Sequence, residues 1–306
     1  MTAEIFFKEL QRLLDSKPRS PSKTLNSIDC KFTNFVYYSN GLFNCFDCNN
    51  SANGTYMYDT HYCANCMDMD FSHESELCYE SVDAFKCFNC TYIDDCGNMT
   101  DSDFSSWCNG CHDVFGCFKL QNKSFCIFNR QFTEEEYYQK VKYLKTLPPE
   151  KILTEVEKIA LQHPITQTNG HDNENSNYGN YVYYSKNCYL CFDSARNEDC
   201  AYLYDSSDNK GSFDISQSGG NEISNEVLDS GQIFNSSYVV YSKNCQDSKY
   251  VFDSVDVKNS MGCVLLSHKQ YCFLNRQLSK EEYEKITAPL LMELKNKYYG
   301  WADLTF

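Results

Sequence analysis

The residues most able to do chemistry in this chain are its cysteines. There are 19 in 306 residues, and several fall in Cys-x-x-Cys pairs: Cys45/Cys48, Cys63/Cys66, Cys87/Cys90, Cys108/Cys111 and Cys188/Cys191. Two such pairs can supply four thiolates to a tetrahedral zinc ion. Taken in order, Cys45, Cys48, Cys63 and Cys66 would form one site, and Cys87, Cys90, Cys108 and Cys111 a second. Carboxylates are the next candidates. Asp47, Asp59, Asp193 and Asp205 follow short apolar segments, and stacked carboxylates can bind Ca²⁺ or act as an acid/base pair on sugars. Turn aspartates that satisfy their own backbone are the plainer reading. Arg130 and Arg276, each inside an Asn-Arg-Gln triplet, are the remaining polar candidates for binding. The alternative for them is a corner arginine tying helix to sheet. The six histidines show no ligand spacing, and neither a Gly-rich phosphate loop nor a nucleophile elbow occurs.

What positions these residues is an internal repeat. Asn34-Phe35-Val36-Tyr37-Tyr38-Ser39 lies over Asn180-Tyr181-Val182-Tyr183-Tyr184-Ser185 at an offset of 146. Over residues 34–59, 11 of 26 positions are identical at that offset. The same offset later brings Cys126-Ile127-Phe128-Asn129-Arg130-Gln131 onto Cys272-Phe273-Leu274-Asn275-Arg276-Gln277. The repeat also weighs the thiols. At the offset, Cys48 becomes Ser194, Cys63 Asn209, Cys66 Ser212, Cys87 Ile233, Cys90 Ser236, Cys108 Ser254 and Cys111 Val257. A metal site does not survive such losses, whereas a small buried packing position tolerates them. Structural thiols are therefore the primary reading, and a zinc site confined to the first copy is the alternative.

Each copy reads as a short helix, a Cys/Tyr/Asn-rich β region and a closing helix: residues 1–146 and 147–306. Apolar residues at helical spacing mark the leading helices (Ile5, Phe6, Leu10, Leu13, Leu14; Ile152, Leu153, Val156, Ile159, Ala160). Capping boxes Thr133–Glu136 and Ser279–Glu282 open the closing ones, near 133–146 and 279–296. The polar stretch 167–180 reads as a loop. In the second copy short β-prone segments end in Ser194, Ser206, Ser230, Ser242, Ser254 and Ser267, about 12 residues apart with one long step. Many short strands at even spacing mean a solenoid, a barrel or a sandwich. The fine repetition favours a mainly β fold, a β-solenoid in two tandem copies flanked by capping helices; a β-sandwich-like fold is the alternative.

The segments 122–137, 268–283 and 185–194 resemble uncharacterised Cys/Asn/Tyr-rich repeat proteins of candidate-phyla bacteria that often carry a CaiB/BaiF (CoA-transferase) label. The resemblance covers both β regions and the closing helices. It brings no established catalytic residues to carry over. A zinc-ribbon-like segment common at the start of such relatives is not read here.

A net charge of −15 repels phosphate backbones and anionic surfaces, which argues against nucleic acid and membrane as partners. No uninterrupted apolar run marks a secretory signal or a membrane span. Reduced thiols and an odd cysteine count fit a cytoplasmic protein. The sequence thus leads to an acidic, non-enzymatic structural or interaction scaffold without a cofactor, working through a protein partner or self-association. A zinc protein and a glycan-binding or glycan-active β-helix are the alternatives.

Overall fold

The computed structural model describes residues 1–18, 22–165 and 168–295. Its β regions are solenoids of parallel coils. Parallel pairing partners lie 12 residues apart: Thr24 with Val36, Met57 with Met69, Cys191 with Leu203, Val239 with Val251. The sandwich alternative falls, because the long ladders are parallel between successive coils. The missing step in the serine series is filled by Phe213–Gly219, which pairs with the coils on either side.

Each coil has four sides of three residues, and the corners are made by the backbone. Every third residue from Asn26 to Phe128, and again from Asp172 to Leu274, has a φ near +50°. This conformation costs most residues about 1–2 kcal/mol, and less for Asn, Asp and Gly. That explains the abundance of Asn and Asp. It also corrects the reading of 167–180 as a loop. Its Asp172, Asn175 and Tyr178 are left-handed corners, and Gly170–His171 pairs with Asn180–Tyr183, so a first coil begins there.

The residue after each corner points inward. This interior row takes every third position: Val36, Ser39, Leu42, Cys45, Cys48, Ser51 in one unit, and Val182, Ser185, Cys188, Cys191, Ser194, Asn197 in the other, all buried. The interior is narrow, so small side chains fill it. A hydroxyl or thiol there donates to the carbonyl two residues back, as Ser39 does to Tyr37 (2.8 Å) and Cys48 to Phe46 (3.3 Å). A serine oxygen also accepts the N–H of the inward residue one coil later, as in Ser230 to Ser218 and Ser242 to Ser230. The coil ladders leave that N–H unpaired, so the serine columns satisfy it.

The chain divides into two compact units, Ser20–Ile165 and Met1–Arg19 with Thr166–Phe306. Helix α1 (Ala3–Asp15) buries Ala3, Phe6, Leu10 and Leu14 against Tyr250, Met261, Val264 and Phe273 of the later coils. Helices α2 (Glu134–Leu144) and α3 (Pro149–Ala160) close the other unit, where Tyr137, Val141 and Ile152 cover Phe104, Phe115 and Ile127. Each leading helix of the sequence thus packs with the other β region. Helix α4 (Lys280–Lys295) adds Leu290 to the α1 cluster. Both capping boxes form: Thr133 with Glu136, and Ser279 with Glu282. Among the described residues no helix is long and apolar enough to cross a membrane.

Candidate functional site

The coil explains the Cys-x-x-Cys pairs. A spacing of three is one side of a coil, so the two cysteines of a pair sit on adjacent interior sides. Cys45, Cys48, Cys63 and Cys66 therefore occupy four different interior columns, with a 12-residue step along each. Each of the eight cysteines offered as ligands donates to the carbonyl two residues back, at 3.2–3.5 Å: Cys45, Cys48, Cys63, Cys66, Cys87, Cys90, Cys108 and Cys111. That is the geometry of the serines, which is why Cys and Ser exchange between the two sequence copies. Within one pair Cys45 meets Cys48, while along one column Cys66 meets Cys78 and Cys78 meets Cys90. Burial pushes the Cys63 thiol up to about 11 and those of Cys87 and Cys117 up to about 12. A desolvated thiol resists ionisation. All 19 cysteines are free, and all but Cys30 are buried.

The aspartates stand at corners. Asp47, Asp59, Asp193 and Asp205 have φ between 45° and 53°, the conformation Asp tolerates. Asp59 lies 3.3 Å from the His61 ring. Asp193 and Asp205 stack one coil apart. Arg130 is exposed on the two-residue strand that turns back on Ser124–Ile127, and it borders a 630 Å³ recess with Glu155, Lys158 and His163. Arg276 is exposed at the matching turn of the other unit, against Phe273. The eight cysteines, spread over the four interior columns, do not converge on a common site.

A surface that the sequence reading passed over is more coherent. Aromatic and large apolar residues recur every 11–13 positions along one side of the Ser20–Ile165 unit: Phe32, Phe43, Tyr56, Met67, Tyr79, Tyr92, Phe104, Phe115 and Phe128. Rings touch in sequence: Phe32–Phe43 at 5.5 Å, Phe43–Tyr56 at 6.2 Å, Tyr79–Tyr92 at 5.6 Å, Tyr92–Phe104 stacked at 4.6 Å. The later half lies under α2 and α3, with Phe115 fully buried. The earlier half is bare: Phe32, Phe43, Tyr56 and Met67 are 75, 41, 49 and 42% exposed. A cleft of about 710 Å³ marks the border between the halves, lined by Tyr92, Phe104, Tyr137, Asp101, Asp103 and Lys145 among others. Within it Lys145 pairs with Asp103 at 2.7 Å and the Tyr138 hydroxyl donates to Asp113.

The other unit repeats the arrangement. Tyr178, Tyr189, Tyr202 and Phe213 are exposed, with ring contacts at 5.7 and 6.0 Å. Tyr238 and Tyr250 then stack at 4.4 Å, and Phe6 of α1 sits on Tyr250 at 5.5 Å. One outer column is kept residue for residue: Tyr56-Asp68-Glu80-Tyr92 in one unit and Tyr202-Asp214-Glu226-Tyr238 in the other, each step being one coil. The 12-residue recurrence of Tyr, Asp, Glu and Tyr was visible in the sequence, but only a known coil period turns it into a surface.

No family model matches the chain, and no curated protein does. Among solved structures, a chain provisionally described as an acetyltransferase from Desulfovibrio desulfuricans G20 matches at 8% identity. It covers 85% of this chain and 78% of its own, at a TM-score of 0.15, and at that score it carries no argument about this chain.

Proposed function

We propose that this protein is a non-enzymatic scaffold for protein–protein interaction, built on a duplicated β-solenoid, with the bare half of each aromatic stripe as its binding surface. The observation that carries this is the division of labour between inside and outside. The buried thiols and the serine hydroxyls and asparagine amides of the interior columns are tied to the coil's own backbone or to one another. Among the described residues the one buried side-chain nitrogen or oxygen without a partner is Asp70 Oδ1, which belongs to an outward column. Outside, aromatic side chains stay exposed in ordered rows. Contiguous apolar surface of this kind marks interaction sites, and tyrosine suits them because it buries much area at little entropic cost. The rows stand on rigid coils, so recognition requires little ordering of the scaffold itself.

Native affinity purification of the full chain, beside a Phe43→Ser/Tyr56→Ser/Tyr189→Ser/Tyr202→Ser variant, tests the reading. A protein retained in stoichiometric amount by the parent chain and lost by the variant is expected. Equal recovery with both chains, or no retained protein, would overturn it.

A further inference from the structure

The fold itself shows what fits on these stripes. In both units the covered half of the stripe lies under helices: α1 presents Phe6, Leu10 and Leu14 in one, and α2 with α3 presents Tyr137, Val141 and Ile152 in the other. Phe6 and Ile152 are equivalent at the 146-residue offset, so the docking mode occurs twice. The bare half extends the same two outer columns, from Tyr79 through Met67 back to Phe32 in one unit and from Phe213 back to Tyr178 in the other, where Asn225 and Glu226 stand between Phe213 and the covered Tyr238. Its exposed rings and Met67 are apolar, as are the residues the helices already cover.

The charge of the bare half narrows the choice further. Asp68 and Glu80 stand one coil apart in the same column as Tyr56 and Tyr92, and Asp214 and Glu226 repeat them between Tyr202 and Tyr238. Burial first, then the neighbouring Glu80 carboxylate, push the Asp68 carboxyl up; burial does the same to Asp214. Carboxylates set among aromatic rings make this column electrostatically complementary to a cationic partner.

Resting on the scaffold reading above, we infer that the bare half of each stripe docks a cationic amphipathic α-helix of a partner protein, two per chain. The helix would lay its apolar face on Phe43, Tyr56 and Met67, or on Tyr189, Tyr202 and Phe213. Lysines or arginines at its border would meet Asp68 and Glu80, or Asp214 and Glu226. This is helix-in-groove recognition with anchors at i, i+3, i+4 and i+7. The helix needs about 13 residues to span roughly four coils, at 1.5 Å per residue and about 4.8 Å per coil.

The test uses three fluorescein-labelled peptides with the full-length protein: a Leu/Lys peptide with leucines on one helical face, the same composition interrupted by two prolines, and the Leu/Glu counterpart. Anisotropy gives affinity and stoichiometry, and circular dichroism of the complex gives the peptide's helicity. Expected is binding of two Leu/Lys peptides per chain with gain of helix, about tenfold tighter than the interrupted peptide. The Leu/Glu peptide should not bind. The variant Asp68→Asn/Glu80→Gln/Asp214→Asn/Glu226→Gln, folded by its own spectrum, should lose about tenfold. The inference is overturned if the parent chain binds none of the peptides, binds the interrupted peptide equally, or binds as well after the four acids are neutralised. In that event a partner still lost on replacing the stripe tyrosines would leave the scaffold reading standing and remove only the helical, cationic occupant.

Discussion

Asn209 offers the sharpest test of how the interior is held. It is buried between Asn197 and Asn221, one coil away on either side. Its Oδ1 accepts the backbone N–H of Asn221 at 3.1 Å and the Asn221 side-chain amide at 2.9 Å, and its own Nδ2 donates to Asn197 Oδ1 at 3.0 Å. In Asn209→Ala both Asn221 donors are left buried without an acceptor. Each such donor costs about 1–3 kcal/mol, so the loss should be about 4 kcal/mol, with the vacated volume adding to it. Asn197 Oδ1 is spared most of the damage, because it still accepts the Asn209 N–H at 3.0 Å. Asn209→Ser places at this position the hydroxyl that serves elsewhere in the solenoid and should lose less than half as much. Urea unfolding followed by far-UV circular dichroism measures both. An alanine variant within about 1 kcal/mol of the parent, or a serine variant as damaged as the alanine one, would refute the view that inward polar side chains satisfy backbone groups the coil leaves over.

Other perturbations follow from the same geometry. Gly262→Ala should cost about 2 kcal/mol, because its Cβ would lie 2.9 Å from Phe6 and 3.0 Å from Leu274 at φ +69°. Gly211→Ala at φ +55° meets nothing within 4 Å and should cost about 1 kcal/mol, the backbone term alone; thermal melts separate the two. Phe6→Ala removes a fully buried ring from the α1 cluster, at about 3–5 kcal/mol, and should expose residues 1–15 to limited proteolysis before any other segment is cut. Raising the pH should destabilise the solenoids. Burial raises Cys63 and Cys245 to about 11 and Cys87, Cys117 and Cys263 to about 12, from an ordinary 9.0. The unfolded chain therefore loses these protons first, and stability present below pH 9 falls as the pH climbs toward 12. The urea midpoint should drop between pH 8.5 and 10.5, and by less in a variant with Cys63, Cys87 and Cys117 replaced by serine. An unchanged midpoint would count against the buried thiols.

The 12-residue step was legible because serines recur at a position where a small hydroxyl satisfies the next coil's N–H, and repeated chemistry at a fixed interval survives as letters. The period of three was equally present, in Cys45-x-x-Cys48-x-x-Ser51 and its neighbours, but it imitates a metal-ligand spacing. Cysteine as a ligand and cysteine as a small inward side chain read the same until the backbone is known. The left-handed corners were hidden for another reason. Tyr, Phe, Lys and Glu occupy many of them, as at Tyr56, Phe71, Glu80 and Lys86, and these residues give no local sign of positive φ. The ladders on both sides impose that conformation. The helix packing could not be read from order along the chain, since helix α1 lies against coils more than 200 residues away. The stripe was illegible because its members step by 11, 12 or 13, alternating between two adjacent outer columns that a linear reading keeps apart.

The central claim is that the inward thiols, hydroxyls and amides are consumed in building the coils, so that function is left to the outer surface. Counting reactive thiols with a chromogenic disulfide at pH 8, before and after denaturation, tests it most directly. The account predicts that the native chain reacts at Cys30 alone and that all 19 thiols appear on unfolding. Several fast-reacting thiols in the native protein, or thiols still masked after unfolding until a metal chelator is added, would contradict it.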